Sequence, residues 1–147
     1  MKFKNIPPLY FFIGILIIIF IYVFLPYFPK IAYPYNWIGI VFICLGAYLN
    51  ISADKIMKKY NTSHKFEKSV YVVQEGVFQI SRNPMYLGMT FILAGLALIS
   101  KNIAALISPF IFFLVMSLIF IPSEERKMTR ELGEEYLKYK QKVRCWI

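Results

Sequence analysis

The sequence predicts an all-α integral membrane protein, a helical bundle of about four transmembrane helices followed by a C-terminal helix on the cytoplasmic side. Three observations predict it. Hydrophobic residues make up 59% of the 147 positions and charged residues only 17%, where a soluble protein carries roughly a quarter. The apolar residues gather into four runs, 9–25, 37–53, 85–100 and 103–121, and none of these contains Asp, Glu, Lys or Arg. Of the 17 Lys and Arg, only Lys30 and Lys101 fall outside the amino terminus, the long loop between the second and third runs, and the tail. A hydrocarbon core of about 30 Å takes about 20 helical residues. The first, second and fourth runs meet that length and the third is short. A buried core helix can imitate one such run, but four would leave so small a chain nothing to cover them.

Taken in order, the start Met1–Asn5 followed by an apolar stretch imitates a secretory leader. The run is long, however, and ends in Leu25-Pro26-Tyr27-Phe28-Pro29 instead of small residues suited to cleavage, so an uncleaved first span is expected. A Pro- and Tyr-rich loop, 26–35, leads into the second span, with Tyr27, Tyr33, Tyr35 and Trp37 suited to the membrane interface. Gly39 and Gly46 share a helix face in the second span, as do Gly88 and Gly95 in the third. Small residues so placed let helices approach closely in lipid.

Residues 54–84 form a polar loop that turns semi-apolar from Val70, where irregular or extended backbone is expected. Only Lys101 and Asn102 join the last two spans, which forces an antiparallel hairpin. Pro109 is expected to kink the fourth span. After Pro122 the tail, 122–147, has helical composition, with Ser123 as a cap, Glu124 and Glu125 in the first turn, and Gly133 as a break. The whole reads as one membrane domain.

Because Lys and Arg are retained in cytoplasmic loops, both termini and the central loop are expected to face the cytoplasm. The net charge of +9 then belongs to membrane topology and to attraction of anionic headgroups of the membrane lipids. Nucleic acid is not expected as a partner, since the basic residues are scattered without a matching motif. Cys44 and Cys145 form no disulfide framework, and Cys145 is misplaced for prenylation.

The chain shows no Gly-rich phosphate loop and no Cys/His metal cluster, and His64 stands alone in the polar loop. No ionisable residue lies in a span, which argues against ion or proton transport. Polar chemistry instead gathers at the cytoplasmic ends of the last two spans, which the hairpin brings together. Pro84 at a helix start leaves free amides beside Arg82, an arrangement suited to a carboxylate or other anion. Glu124 and Glu125 suit a cation, or the hydroxyl and amino groups of a nucleoside. The plainer reading makes Arg82 a flanking charge, Pro84 a helix start, Tyr86 an interfacial anchor and the two glutamates complements to a helix dipole.

The stretch GVFQISRNPMYLG, from Gly76 to Gly88, resembles the G-x-[FY]-x-x-x-R-[HN]-P-x-Y-x-G motif of the isoprenylcysteine carboxyl methyltransferase and phospholipid methyltransferase superfamily. The tail EERKMTRELGEEYLKYKQKVRCWI is similar to that superfamily's second block, a Glu pair, then Gly-Glu-Glu-Tyr, then a Tyr and a basic end. Together they cover about residues 70–147. The resemblance implies that S-adenosyl-L-methionine binds in a cytoplasm-facing pocket. Its contacts are carried over to Val70, Tyr71, Val72 and Val73 by spacing, and to Gly76, Phe78, Asn83, Pro84, Met85, Tyr86 and Glu124 by position.

The reaction implied is direct displacement at the sulfonium methyl, with a lipid or other apolar small molecule as acceptor. Arg82, Tyr86 and Glu125 are the residues expected to serve catalysis, Glu125 or Tyr86 as base if the acceptor is an amine. Prenylcysteine enzymes of this kind place an Arg four residues before the Glu pair to hold the substrate carboxylate, and here that place is Phe120. A prenylcysteine carboxylate would lack its partner, so another acceptor is expected. Asn83 in place of His fits the small prokaryotic branch, and hence a prokaryotic cell membrane. Two alternatives stand beside this reading, a non-catalytic scaffold that keeps the fold and a nicotinamide-dependent membrane reductase, whose sterol-reducing examples share a related Arg-His-Pro-x-Tyr block.

Overall fold

In the computed structural model, which describes residues 6–60 and 72–147, each of the four apolar runs forms helix, and two of these helices continue into the polar sequence that follows. Helix α1 spans Ile6–Phe24, α2 spans Ile38–Lys59 and α3 spans Pro84–Ile99. Helix α4, Ile107–Val115, passes through a π turn, Met116–Phe120, into α5, Ile121–Lys142. Three helical stretches are long and apolar enough to cross a bilayer, Pro7–Phe24, Tyr35–Lys59 and Ile103–Lys142, while Pro84–Ile99 is shorter. Among the described residues the β pairing amounts to a single antiparallel bridge, Lys30 with Asn102.

Helix α3 is central. Its buried Leu93 and Ala97 meet a core completed by Ile18 and Ile21 of α1 and by Phe112 and Met116 at the end of α4. On its other side α2 lies unusually close. A Cβ added to Gly39 would sit 2.5 Å from the Gly95 carbonyl oxygen, and one added to Gly46 would sit 2.5 Å from that of Gly88. The glycine pairs expected to share faces therefore bring the two backbones into direct contact, which supplies dispersion where lipid offers no hydrophobic drive. Gly14 plays a similar part in α1, where Ser108 Oγ donates to its carbonyl at 2.7 Å.

Hydrogen bonds tie the far end of the bundle. Asn102 Nδ2 donates to the Leu25 carbonyl at 2.9 Å. The Ile31 amide donates to Lys101 at 2.8 Å and the Ile103 amide donates to Pro29 at 3.1 Å. The two-residue turn works because Lys101 takes a positive φ of 60° and Asn102 caps the following turn, accepting from the Ala104 amide at 3.0 Å.

Three boundaries differ from the sequence expectation. Helix α2 runs on to Lys59 where the loop was expected from residue 54, carried by the Asp54–Lys58 ion pair of 2.6 Å one turn apart and by basic residues in its last turn. The fourth span opens as a 3-10 turn, Ile103–Leu106, and becomes α-helix at Ile107, which places Pro109 in the first turn of α4. Ser123 caps nothing, since the helix is continuous from α4 into the tail. The irregularity falls at Met116–Phe120, where the wider turn precedes Pro122 and relieves the hydrogen bond that proline cannot donate. Gly133 does break the tail helix, with φ 55° and ψ −130°.

Closing the gap between α2 and α3 should be costly. Gly46→Val is expected to lower the unfolding midpoint in mild detergent, consistent with about 1–3 kcal/mol of overpacking. Cys44→Val on the exposed side of the same helix should leave it unchanged. Equal losses in both would remove the close approach as the cause.

Candidate functional site

The segment before α3 is shaped by a glycine that no other residue replaces easily. Gly76 has φ +57°, and a Cβ there would lie 2.7 Å from Ile56 Cδ1. It opens a short 3-10 turn, Gly76–Gln79, whose buried Val77 packs with Leu49, Ala53 and Leu87. Phe78 and Met85 lie half-buried against the same cluster. Val72 and Val73 are half-buried in the approach to the turn. Val70 and Tyr71 lie outside the described residues.

Past the turn, the chain's last residues fold back over it. The Arg82 amide donates to the Arg144 carbonyl at 3.1 Å. Buried Ser81 donates through Oγ to the Cys145 carbonyl at 3.1 Å and accepts from the Asn83 amide at 3.1 Å. Asn83 Nδ2 also donates to the Cys145 carbonyl, at 3.2 Å. Trp146 lies against Phe113 with ring centroids 4.6 Å apart, which fixes this strap to α4. Burial, and then the nearby Glu125 carboxylate, push the Cys145 thiol up.

Pro84 occupies the first position of α3, as expected, and sets the register that carries Tyr86 toward α5. Tyr86 Oη donates to Glu124 Oε1 at 2.5 Å. Burial pushes Glu124 up to about 7, against the opposing effects of the Tyr86 hydroxyl and Lys127. Its neighbour faces a different set of partners. Arg82 Nη2 lies 2.9 Å from Glu125 Oε1 in an ion pair whose side chains are only 9% and 14% exposed. Lys140 Nζ, from beyond the Gly133 break, donates to Glu125 Oε2 at 2.6 Å. Among the described residues, Arg82 Nε and Nη1 are buried without a hydrogen-bond partner, and Glu125 Oε1 accepts none, so its contact with Arg82 is an ion pair without hydrogen-bond geometry.

Of the residues singled out in the sequence, the structure gathers Arg82, Asn83, Tyr86, Glu124 and Glu125 at one end of the α3–α4 hairpin. Phe78 and Met85 line the α2 side, and Gly76 acts through the backbone against α2. Sequence reasoning passed over Ser81, Tyr139, Lys140 and the strap. Tyr139 is buried and donates through Oη to the Phe78 carbonyl at 2.6 Å, linking the second arm of the tail to the 3-10 turn. The signal was the spacing of Tyr136, Tyr139 and Lys140 after Gly133, which places three anchoring residues on one turn of helix. Chemically, the cluster offers buried, unfilled cationic donors beside a carboxylate whose partner is a neutral phenol.

The Arg82–Glu125 pair gives a direct test of this geometry. Glu125→Ala leaves a buried guanidinium without its counter-ion and is expected to destabilise the protein by about 3 kcal/mol in detergent unfolding. An Arg82→Met/Glu125→Leu double variant should recover part of that loss. A double-variant loss equal to the sum of the Arg82→Met and Glu125→Leu losses, each measured singly, would show that the charges do not interact.

Comparisons with known proteins bear on the same residues. A sequence model of the phospholipid methyltransferase family matches residues 35–135. An uncharacterised protein of Haemophilus influenzae is 40% identical over 63 residues, which cover 43% of this chain and all of that protein. A protein-S-isoprenylcysteine O-methyltransferase of Schizosaccharomyces pombe is 29% identical over 116 residues, 74% of this chain. The match spans 48% of that relative, so the chain corresponds to about half of its length.

Proposed function

This chain belongs to the phospholipid methyltransferase family, and on that premise we propose that it is an S-adenosyl-L-methionine-dependent membrane methyltransferase of the isoprenylcysteine carboxyl methyltransferase type. The acceptor is an oxygen or nitrogen of a lipid or other apolar small molecule. One observation carries the reading. Glu124, bonded to Tyr86, stands where the two family motifs meet, near an Arg82 with two unfilled buried nitrogens.

The residues fit the cofactor's polar groups. S-adenosyl-L-methionine presents a carboxylate, an ammonium and ribose hydroxyls. Arg82 suits the carboxylate and Glu124 suits the cationic or hydroxyl groups, with Phe78 and Met85 supplying apolar walls, while Asn83, whose amide donates to Cys145, borders the site through its accepting oxygen. When bound, the cofactor supplies a methyl group activated by a sulfonium. This chain's own contribution is then placement, because alignment of the reacting atoms accounts for much of such a rate. Glu125, with both oxygens committed to cations, holds Arg82 in position. The Tyr86–Glu124 pair can take the proton from an oxygen or nitrogen nucleophile, since a carboxylate near 7 is matched to that task.

Phe120 supports an acceptor other than prenylcysteine. It is buried and packs edge-on to Tyr10 at 5.5 Å, so an apolar ring occupies the place of the carboxylate-binding Arg. The charge asymmetry supports an orientation with both termini and the central loop cytoplasmic, and Asn83 in the motif supports a prokaryotic cell membrane. A polar cofactor then enters from that side and the acceptor from the bilayer.

Calorimetric titration of the detergent-purified chain with S-adenosyl-L-methionine should show saturable binding that Glu124→Gln and Tyr86→Phe weaken, with NADPH giving none. Labelled-methyl transfer into a lipid extract would then identify the acceptor. Binding of NADPH alone would replace the reading with the reductase, and a folded sample that binds neither would leave a scaffold.

The pH dependence provides an independent check. A bound cation requires Glu124 ionised, and that form is depleted as pH falls through about 7. Wild-type affinity should therefore rise about tenfold between pH 6 and 8 relative to Glu124→Gln. Parallel profiles in the two proteins would show that Glu124 does not meet the cofactor's charge.

A further inference from the structure

A groove of about 570 Å³ is lined by Pro122, Glu125, Arg126, Thr129, Arg130 and Lys140, from both arms of the broken tail helix. Its charge is lopsided. The single carboxylate, Glu125, is already held by Arg82 and Lys140. Thr129 is also committed, donating through Oγ1 to the Glu125 carbonyl at 2.8 Å. Arg126 donates through Nε to the Pro122 carbonyl at 3.1 Å, and among the described residues its terminal nitrogens have no hydrogen-bond partner.

Arg126 and Arg130 stand four residues apart on one helix face, where like charges repel. The neighbouring stripe does the opposite, with Lys127 paired to Glu131 at 3.6 Å. A helix that pairs its charges on one stripe and sets two arginines together on the next is arranged for an anion shared between them. Arginine favours phosphate in particular, because its planar fork meets two oxygens at once.

Position identifies the source of that phosphate. Pro122 directly follows the apolar run that ends at Ile121, so one wall of the groove lies where a bilayer's headgroups begin. We propose that this groove binds the phosphate of an acidic membrane lipid between Arg126, Arg130 and Lys140, as a ligand distinct from the methyl acceptor. The site stands whether or not the chain transfers methyl groups. It also touches the candidate site's support, because Lys140 is shared between the groove and Glu125.

The test uses the full chain in nanodiscs of neutral phosphatidylcholine, titrated with short-chain phosphatidic acid and followed by calorimetry. Saturable binding with one lipid per chain is expected, about thirtyfold weaker in Arg126→Gln/Arg130→Gln. Lys138→Gln, exposed and outside the groove, should bind as wild type does. Glutamine keeps the helix propensity, and circular dichroism of the double variant should match the parent's. The proposal is overturned if the double variant binds phosphatidic acid undiminished, if the wild type shows no saturable binding, or if inorganic phosphate displaces the lipid at equal concentration. The last result would assign the groove to a soluble phosphate.

Discussion

The Arg82–Glu125 ion pair joins the ends of two helices at the side of the bundle opposite their connecting turn at Lys101 and Asn102. A bilayer excludes unpaired charge and unpaired backbone alike, so the chain confines its polar chemistry to the ends of its spans. There Arg82 precedes α3 and Glu125 follows α4, and each is largely buried against the other. Removing Glu125 leaves the buried Arg82 guanidinium without its counter-ion, whereas removing Arg82 leaves Glu125 with Lys140 as its remaining cation. The rest of the cluster depends on that pair: Tyr86 reaches Glu124 because the ends of α3 and α4 are held at this separation, and Lys140 folds the tail back because Glu125 offers its second oxygen.

What holds the spans themselves is different in kind. Helices α2 and α3 meet through backbone at Gly39, Gly46, Gly88 and Gly95, and the opposite end is tied by the hydrogen bonds of Asn102 and the loop before α2. The glycine contacts are close backbone van der Waals contacts, while the ties at both ends are hydrogen bonds and ion pairs. That division follows from the solvent. Inside lipid, closeness is the principal gain open to a helix pair, whereas at the interface polar groups must find one another or water.

Much of this was legible in the sequence because it obeyed short-range rules. The uncharged runs marked the helices, the seven-residue glycine spacing marked their shared faces, and Gly133 marked the break in the tail. The continuity of α4 into α5 was not legible. Pro122 and Ser123 read as a stop and a cap, and only the π turn at Met116–Phe120, which has no sequence code of its own, lets the helix pass through. The site was half legible. Arg82, Tyr86 and Glu124 stood out through motif resemblance, but the strap at Arg144–Trp146 and the Tyr139 bond to Phe78 are long-range contacts that local pattern does not record.

The continuity from α4 into α5 makes the fourth span and the first arm of the tail one mechanical member. A hydrophobic stretch meets a thinner or thicker bilayer by tilting, and here the helix continues through the π turn, so a tilt of the span is passed on to the first arm of the tail. Glu124 and Glu125 lie just past the end of the apolar run, so they swing with α4, while Arg82 and Tyr86 belong to the shorter α3. Membrane thickness thereby becomes a geometric variable of the Tyr86–Glu124 and Arg82–Glu125 contacts, and the lipid around this protein acts on it as a spacer as well as a solvent.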